Sequence, residues 1–416
     1  MNKLLWYNWA DSSHYKEVRD MLFLSIYCDN LYMFKDFYVD LTYNKKLSHP
    51  LAEDDVLFPE SRIKVRKKLI LMGGNAAGKT TFGKLLCSIC NYILGRSLDI
   101  KNGSFRNIEA CRFDKKREAH FTVEFAIDRK AFLLDAKFGK DGLTYESLKE
   151  KDIYKTYSIE TLRDKLKKSS PVAEFNVKTS AFGMGFKSYA FSQKEIVRQL
   201  HTKFGFLFLF SQFMDLALSR KSKTKMMANQ LNEVLPEIDN SIEKVIALDS
   251  ADPKIQSLSY MIIFKNGETV TVPDGDVRAC APRLSQGTLE TINFVTVLSE
   301  IPKRKGNVFF IDEQLVHMHT ELESYLIYKA MLLAPRDMQI FFTTHNLEVF
   351  QLNLPNDDFI LFYRKSGFIY NDALYPADKM SKNDRSLRNY YENDYFGVLP
   401  DYGTLDKFFE SVKKGA

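Results

Sequence analysis

Between Leu69 and Leu86 the chain reads LILMGGNAAGKTTFGKLL. A short apolar run meets Gly73, Gly74, Asn75, Ala76, Ala77, Gly78, Lys79, Thr80 and Thr81, then returns to apolar residues at helical spacing. Gly73 to Thr80 fits G-x-x-x-x-G-K-[ST] with the flanks the pattern needs, a strand before and a helix after. Glycine and other small residues let backbone N–H groups curl around a phosphate at a helix N-terminus. In that setting Lys79 reaches the β- and γ-phosphates and the Thr80 hydroxyl ligates Mg²⁺. A chance glycine turn fits the pattern too, but it leaves the rest of the chain unexplained.

Three further stretches fall into place around this loop. NVFFIDE carries a continuous apolar strand, Val308–Ile311, of the kind buried on both faces in a parallel sheet. It ends in Asp312-Glu313, and carboxylates at the C-terminal end of such a strand sit where open α/β sheets bind ligands. Asp312 would hold the Mg²⁺ shell, and Glu313 would orient and polarise an attacking water. MQIFFTTH is a second apolar strand ending in Thr343, Thr344 and His345. A lone histidine is ordinarily a surface or core residue. After the strand that follows Asp312-Glu313, His345 is placed to feel a γ-phosphate. LSQGT puts Ser285 and Gly287 immediately before apolar residues of period 3.6 (Leu289, Ile292, Val295, Leu298). Such a helix start is an anion site, or, more plainly, an N-cap serine.

Taken in chain order, G-x-N-x-x-G-K-T-T, L-S-x-G-T, apolar-D-E and T-T-H resemble the ATP-binding-cassette class of ATPases. Within it the chain is similar to the bacterial branch of overcoming-lysogenization-defect and RecF/SMC-like proteins. Asn75 fits that branch, whose loop often reads G-x-N-G-x-G-K-S/T, with Ala76 in place of the second glycine. Asn30, Phe34 and Lys35 match its opening strand, with Leu31 where an aromatic is usual. His319 fits its D-E-…-L-H-P, although Met318 and Thr320 flank it. LRNYYENDYFGVLP near the end looks like the C-terminal segment of ATPase subunits in two-gene abortive-infection systems. The resemblance covers most of the chain and is thin across 150–260.

What the resemblance implies is an α/β, ABC-ATPase-like P-loop fold with a mixed sheet, an antiparallel β meander in the N-terminal half and a helical insertion. ATP and Mg²⁺ would be sandwiched in a head-to-tail dimer or higher oligomer. Gly73–Thr81, Asp312, Glu313 and His345 of one copy would face Ser285 and Gly287 of the other. Gln193 and Gln212 are candidates for the Mg²⁺-contacting glutamine, and neither is assigned to it.

Pattern along the chain agrees with a mixed architecture. Residues 19–43 read as two strands, and HFTVEFAIDRKAFLLDAKFGKDGLTYESL alternates as an antiparallel meander. From about 150 to 250 the period looks helical, with starts at Ser192–Glu195, a capping box, and at Asn240–Glu243. MIIFKNGETVTV is a hairpin turning at Asn266-Gly267. The expected division is an N-terminal ATPase lobe over 1–150, a helical insertion over 151–260, a C-terminal ATPase lobe over 261–360 and a tail segment over 361–416.

Composition excludes little beyond this. The 416 residues are 45% apolar and 27% charged, and a net charge of +6 neither demands nor excludes nucleic acid. The basic run SRKSKTK, residues 219–225, reads as a solvated face. Five cysteines and a polar N-terminus point to a reducing cytoplasm, and Cys87 and Cys90 read as buried packing. FGFLFLFSQFMDLAL is interrupted by Ser211, Gln212 and Asp215 well before it could span a bilayer, so no membrane partner is expected.

The expected function is that of an ATP hydrolase controlling a separately encoded effector, a nuclease or toxin, in anti-phage defence. Nucleotide machinery is present without recognisable effector chemistry, and only 71 residues follow His345, too few for a fused nuclease domain. The alternative is a DNA-repair or chromosome-type ATPase acting on DNA, for which a long coiled coil or broad basic face is missing. A transporter ATPase and a nucleotide-gated scaffold without turnover are weaker readings.

Overall fold

The computed structural model describes residues 21–43, 55–95, 108–192, 205–210, 225–248, 259–273, 277–301, 307–363, 369–372, 374–380, 386–399 and 403–415. Its strands are β1 (Met21–Asp29), β2 (Phe34–Asp40), β3 (Lys68–Met72), β4 (Ala119–Ile127), β5 (Lys130–Phe138), β6 (Leu143–Asp152), β7 (Pro171–Asn176) and β8 (Gly205–Phe210). There follow β9 (Ile242–Ala247), β10 (Tyr260–Phe264), β11 (Thr269–Val272), β12 (Asn307–Asp312), β13 (Gln339–Thr343), β14 (Phe359–Leu361) and β15 (Ile369–Asp372). The main helices are α1 (Lys79–Ile93), α2 (Ile159–Lys168), α3 (Lys225–Ile238), α4 (Gln286–Glu300) and α5 (Thr320–Leu333).

These strands form three sheets. The largest runs β15-β2-β1-β4-β5-β6-β7 and is antiparallel apart from the β15–β2 edge. The second, β14-β3-β13-β12-β8, is parallel throughout. The third, β11-β10-β9, is a small antiparallel sheet. Alternation of side chains decides what lies between them. Leu69 and Leu71 of β3, Phe310 of β12 and Phe341 of β13 face α1, whose opposite side meets Phe23, Ile26, Phe121 and Val123 of the large sheet. Ile70, Met72, Phe309, Ile311, Ile340 and Phe342 face the other way, onto α4, α5 and the tail residues Leu387 and Tyr391. The layers therefore stack as α2, antiparallel sheet, α1, parallel sheet, then α4 and α5.

One buried amide joins the two large sheets. Gln339, fully enclosed at the start of β13, accepts from Phe23 N at 2.7 Å and donates to Phe23 O at 2.9 Å and Arg66 O at 3.1 Å. Asn30, singled out above, is structural: its side chain donates to the carbonyls of Asp114, Arg117 and Glu118 and accepts from Asp114 N.

The meander, the first hairpin and the Asn266-Gly267 turn fold as expected. The helical reading of 151–260 needs correction. The stretch holds α2 and α3, but also β7, β8 and β9, and it supplies one strand to each of the three sheets. The proposed helix start at Asn240–Glu243 is instead the entry to β9. Ile242 and Val245 are buried three apart because a bulge in β9, where Ile242 and Lys244 pair with the consecutive residues Phe264 and Ile263 and Glu243 is extra, resets the strand's phase and imitates a helical period. Boundaries placed at 150, 260 and 360 each fall inside a strand, β6, β10 and β14 respectively. FGFLFLF of the apolar window contains β8, at the edge of the parallel sheet. Among the described residues no helix is long and apolar enough to cross a membrane. Gln193, Lys194, Glu195, Gln212 and residues 219–224 lie outside the described residues.

Candidate functional site

Three neighbouring parallel strands, β3, β13 and β12, end on the same side of their sheet and carry the chemistry there. From β3 the chain enters the loop 73–78 and then α1. Gly73 has φ 144, and a Cβ there would lie 2.2 Å from Phe362 O, so no larger residue fits. Gly78 also has positive φ, at 110, and Ala76 takes φ 60 without glycine's freedom. Phe82, one turn into α1, is buried among Phe37, Phe310, Phe341 and Phe362, which fixes the helix start against both sheets.

Lys79 is only 4% exposed and folds back over the loop. Its Nζ donates to Gly73 O at 2.9 Å and Gly74 O at 3.3 Å and lies 3.0 Å from His345 Nε2. Glu313 Oε1 is 3.7 Å from the same amine and 2.9 Å from His345 Nε2. That ring nitrogen cannot both accept from Lys79 and donate to Glu313, so the three groups compete for one proton position. Were Lys79 drawn away, His345 Nε2 would be left to donate to Glu313.

Thr80 Oγ1 donates to Asp312 at 2.8 and 3.0 Å, and Thr343 Oγ1 donates to it at 2.6 Å. Asp312 is 1% exposed. Burial pushes its carboxyl pKa up, opposed by the two threonine hydroxyls. Glu313 moves the other way: the His345 hydrogen bond, with Lys79 beside it, holds its carboxyl below the ordinary glutamate range despite burial. Burial also lowers the Lys79 amine. Two adjacent carboxylates are thus pushed in opposite directions by their surroundings. Glu313 adopts φ 45 and is held there by its N–H to Thr343 O at 3.2 Å and Oγ1 at 3.1 Å.

A hydroxyl and a buried carboxylate side by side form a hard oxygen pair of the type Mg²⁺ selects. A divalent ion would also relieve the cost of an enclosed negative charge. Thr80 and Asp312 therefore fit a metal, and the loop fits a polyphosphate.

Ser285 and Gly287 stand apart from this group. Ser285 caps α4, accepting from Thr288 N at 3.1 Å, and its hydroxyl lies 2.6 Å from Thr288 Oγ1. Gly287 packs on the carbonyl of His317, where a Cβ would come within 3.2 Å. His317 belongs to the loop after Glu313 and is tied to α4 by Glu290, with Nδ1–Oε1 2.5 Å and N–Oε2 3.0 Å. The loop following one motif is thus clamped to the helix that begins with another. His319 is the exposed residue before α5. Glu290 and Glu323, which accepts from Thr344 Oγ1 at 2.6 Å, escaped the sequence reading, as did the bond from Thr343 to Asp312. Glu290 and Glu323 lie near the starts of α4 and α5 and look like surface residues in a one-dimensional pattern; Thr343 was visible only as the end of a strand.

A phosphate loop after one parallel strand, an acid pair after its neighbour but one, and a histidine after the strand between them define a P-loop NTPase. The sequence matches the family described as "AAA domain, putative AbiEii toxin, Type IV TA system" over residues 69–350, and the chain belongs to that family. It resembles the ATPases of abortive-infection systems. A comparison with curated proteins finds no match. Among solved structures it is similar to an SMC head bound to the C-winged helix domain of ScpA, at 13% identity over 86% of this chain and 99% of that one, TM-score 0.49. A Pyrococcus furiosus SMC head with an extended coiled coil gives 11% identity over 86% and 97%, TM-score 0.49. The recombination mediator RecF gives 15% over 86% and 100%, TM-score 0.39.

Proposed function

We propose that this chain binds and hydrolyses ATP with Mg²⁺ and uses the cycle to control a separately encoded effector in anti-phage defence. The observation that carries the nucleotide chemistry is the convergence of Lys79, Thr80, Asp312, Glu313 and His345 within hydrogen-bond or ion-pair distance at three adjacent strand ends. Backbone N–H groups of 73–81 would receive the phosphates, and Lys79 would leave the loop carbonyls for their outer oxygens. Thr80 and Asp312 would hold Mg²⁺. Glu313, kept ionised by His345, would take a proton from the attacking water, and His345 would stand at the γ-phosphate. Ser285 and Gly287, at the exposed start of α4, would meet the nucleotide of a second copy in a head-to-tail dimer or higher oligomer.

The family description names a putative toxin of a type IV TA system, and that toxin–antitoxin context supports a separately encoded second component. A nuclease or toxin is the effector class in view, and five buried cysteines that are thiols rather than disulfides fit a cytoplasmic setting. Direct action on DNA is the competing reading, marked by DNA-stimulated hydrolysis with a steep salt dependence.

Purified wild-type protein is expected to take up Mg·ATP and release phosphate. Lys79→Ala should lower Mg·ATP affinity about 100-fold, and Glu313→Gln should keep binding while slowing phosphate release about 100-fold or more. Equal uptake by the Lys79 variant would remove the nucleotide reading. Equal phosphate release by the Glu313 variant would remove that residue as the base. Co-purification from the native operon with and without ATP tests the effector, and a chain recovered alone in both conditions would defeat that part.

A further inference from the structure

The corner between α3 and β9 abuts the start of α4, and a single carboxylate occupies it. Asp239 Oδ1 accepts from Ser241 N at 3.1 Å and Ser241 Oγ at 2.5 Å, closing the turn. Its Oδ2 accepts from Thr288 Oγ1 at 2.8 Å, forty-nine residues on in sequence. Thr288 is buried and gives its backbone N–H to Ser285 Oγ, while the two hydroxyl oxygens lie 2.6 Å apart. The hydrogen-bond donors in this chain can be assigned. An ionised carboxylate only accepts, so the Thr288 proton points at Asp239, and the proton between Thr288 and Ser285 belongs to Ser285.

Two bonds thus hold Ser285 Oγ in one position at the exposed start of α4. When an anion arrives, only the hydroxyl hydrogen has to turn outward, because Thr288 Oγ1 stays bound to Asp239. The carboxylate itself is fixed relative to α4. Leu231 and Leu235 of α3 and Ile242 and Val245 of β9 share a core with Leu289, Ile292 and Val295 of α4, and Asn232 Oδ1 accepts from Val245 N at 2.7 Å.

We propose that Asp239 is a positioning residue that acts through Thr288 to fix the Ser285 hydroxyl for a triphosphate carried by a second copy of this chain. The proposal rests on the reading that Ser285 meets nucleotide across a head-to-tail assembly. Without Asp239 the Thr288 proton is free to turn onto Ser285 Oγ. The serine then accepts from both the Thr288 N–H and a Thr288 hydroxyl that the carboxylate no longer anchors, so its oxygen and its own proton lose their fixed setting.

The test compares Asp239→Ala, Asp239→Asn, Thr288→Val and the Asp239→Ala/Thr288→Val double variant of the full chain. Mg·ATP affinity is measured at low protein concentration, and turnover at saturating Mg·ATP and high protein concentration. Affinity is expected to stay within about twofold of wild type, because Lys79 and its loop are untouched. Turnover should fall about tenfold in Asp239→Ala and in Thr288→Val, and the double variant should fall no further, since both break the same relay. Asp239→Asn keeps an acceptor oxygen and should recover at least about a third of the rate. Unchanged turnover in Asp239→Ala, or losses that multiply in the double variant, would overturn the proposal. So would a parallel loss of affinity and turnover in both Asp239 variants, which marks a purely structural role. Failure of the wild type itself to bind Mg·ATP is a different result: it sinks the functional reading and takes this one with it.

Discussion

Ala76 occupies a left-handed conformation, φ 60, that costs an L-residue with a Cβ about 1–2 kcal/mol. Replacing it with glycine removes that strain but gives the unfolded chain more freedom, worth about 0.4–1 kcal/mol in the other direction. Ala76→Gly is therefore expected to raise the unfolding free energy of the nucleotide-free protein by about 0.5–1 kcal/mol, read from a denaturant titration with unchanged slope. A lower unfolding free energy would show that the loop tolerates its alanine without strain. At this scale the site was largely legible. Lys79, Thr80, Asp312, Glu313 and His345 come together in the structure, and their local spacing and strand-end positions had set them apart in the sequence. The hydroxyl of Thr343 on Asp312, at 2.6 Å, was hidden, since nothing in a threonine at a strand end says which neighbouring strand it will serve.

At the scale of elements, α1 lies between two sheets and approaches β12 closely. Gly83 makes that approach: a Cβ there would fall 2.3 Å from Phe310 Cε1 and 2.6 Å from its Cζ. Phe310 cannot move aside, being fully buried with rings of Phe82, Phe208 and Phe341 around it. Gly83→Ala is thus expected to destabilise the protein by about 1–3 kcal/mol through overpacking, even though alanine is the better helix former. A stabilised variant in urea unfolding would show that the ring yields. The same scale explains where pattern reading failed. In β9 a bulge places buried residues three apart, so the alternation that marks a strand is lost and Ile242 with Val245 reads as a helical face. The meander of β4, β5 and β6 has long regular registers, with single shifts at most, and was read without error.

Taken as a whole, the molecule closes its second core with residues from the tail. Leu387 and Tyr391 pack beneath the parallel sheet, Tyr391 with its ring centroid 5.3 Å from that of Phe350, whereas Phe408, Phe409 and Val412 of the last helix, Gly403–Gly415, stand more than half exposed. Ending the chain after residue 402 should leave stability within about 0.5 kcal/mol of the full length. Leu387→Ala should cost about 2–5 kcal/mol, because the cavity opens in a packed interior. A large loss from the truncation, or none from Leu387→Ala, measured by urea unfolding, would reverse this assignment of the tail.

By itself the sequence determined the nucleotide loop, the acid pair, the histidine and most individual strands, because each depends on residues within a few positions of one another. Only the tertiary structure decided that Lys68–Met72, Asn307–Asp312 and Gln339–Thr343 lie side by side, that β8 joins them, and that Gln339 and Asp239 bridge distant parts of the chain. Parallel strands far apart in sequence carry no local signal of their neighbours. Which strand ends converge is settled when their apolar faces are buried between α1 on one side and α4 and α5 on the other.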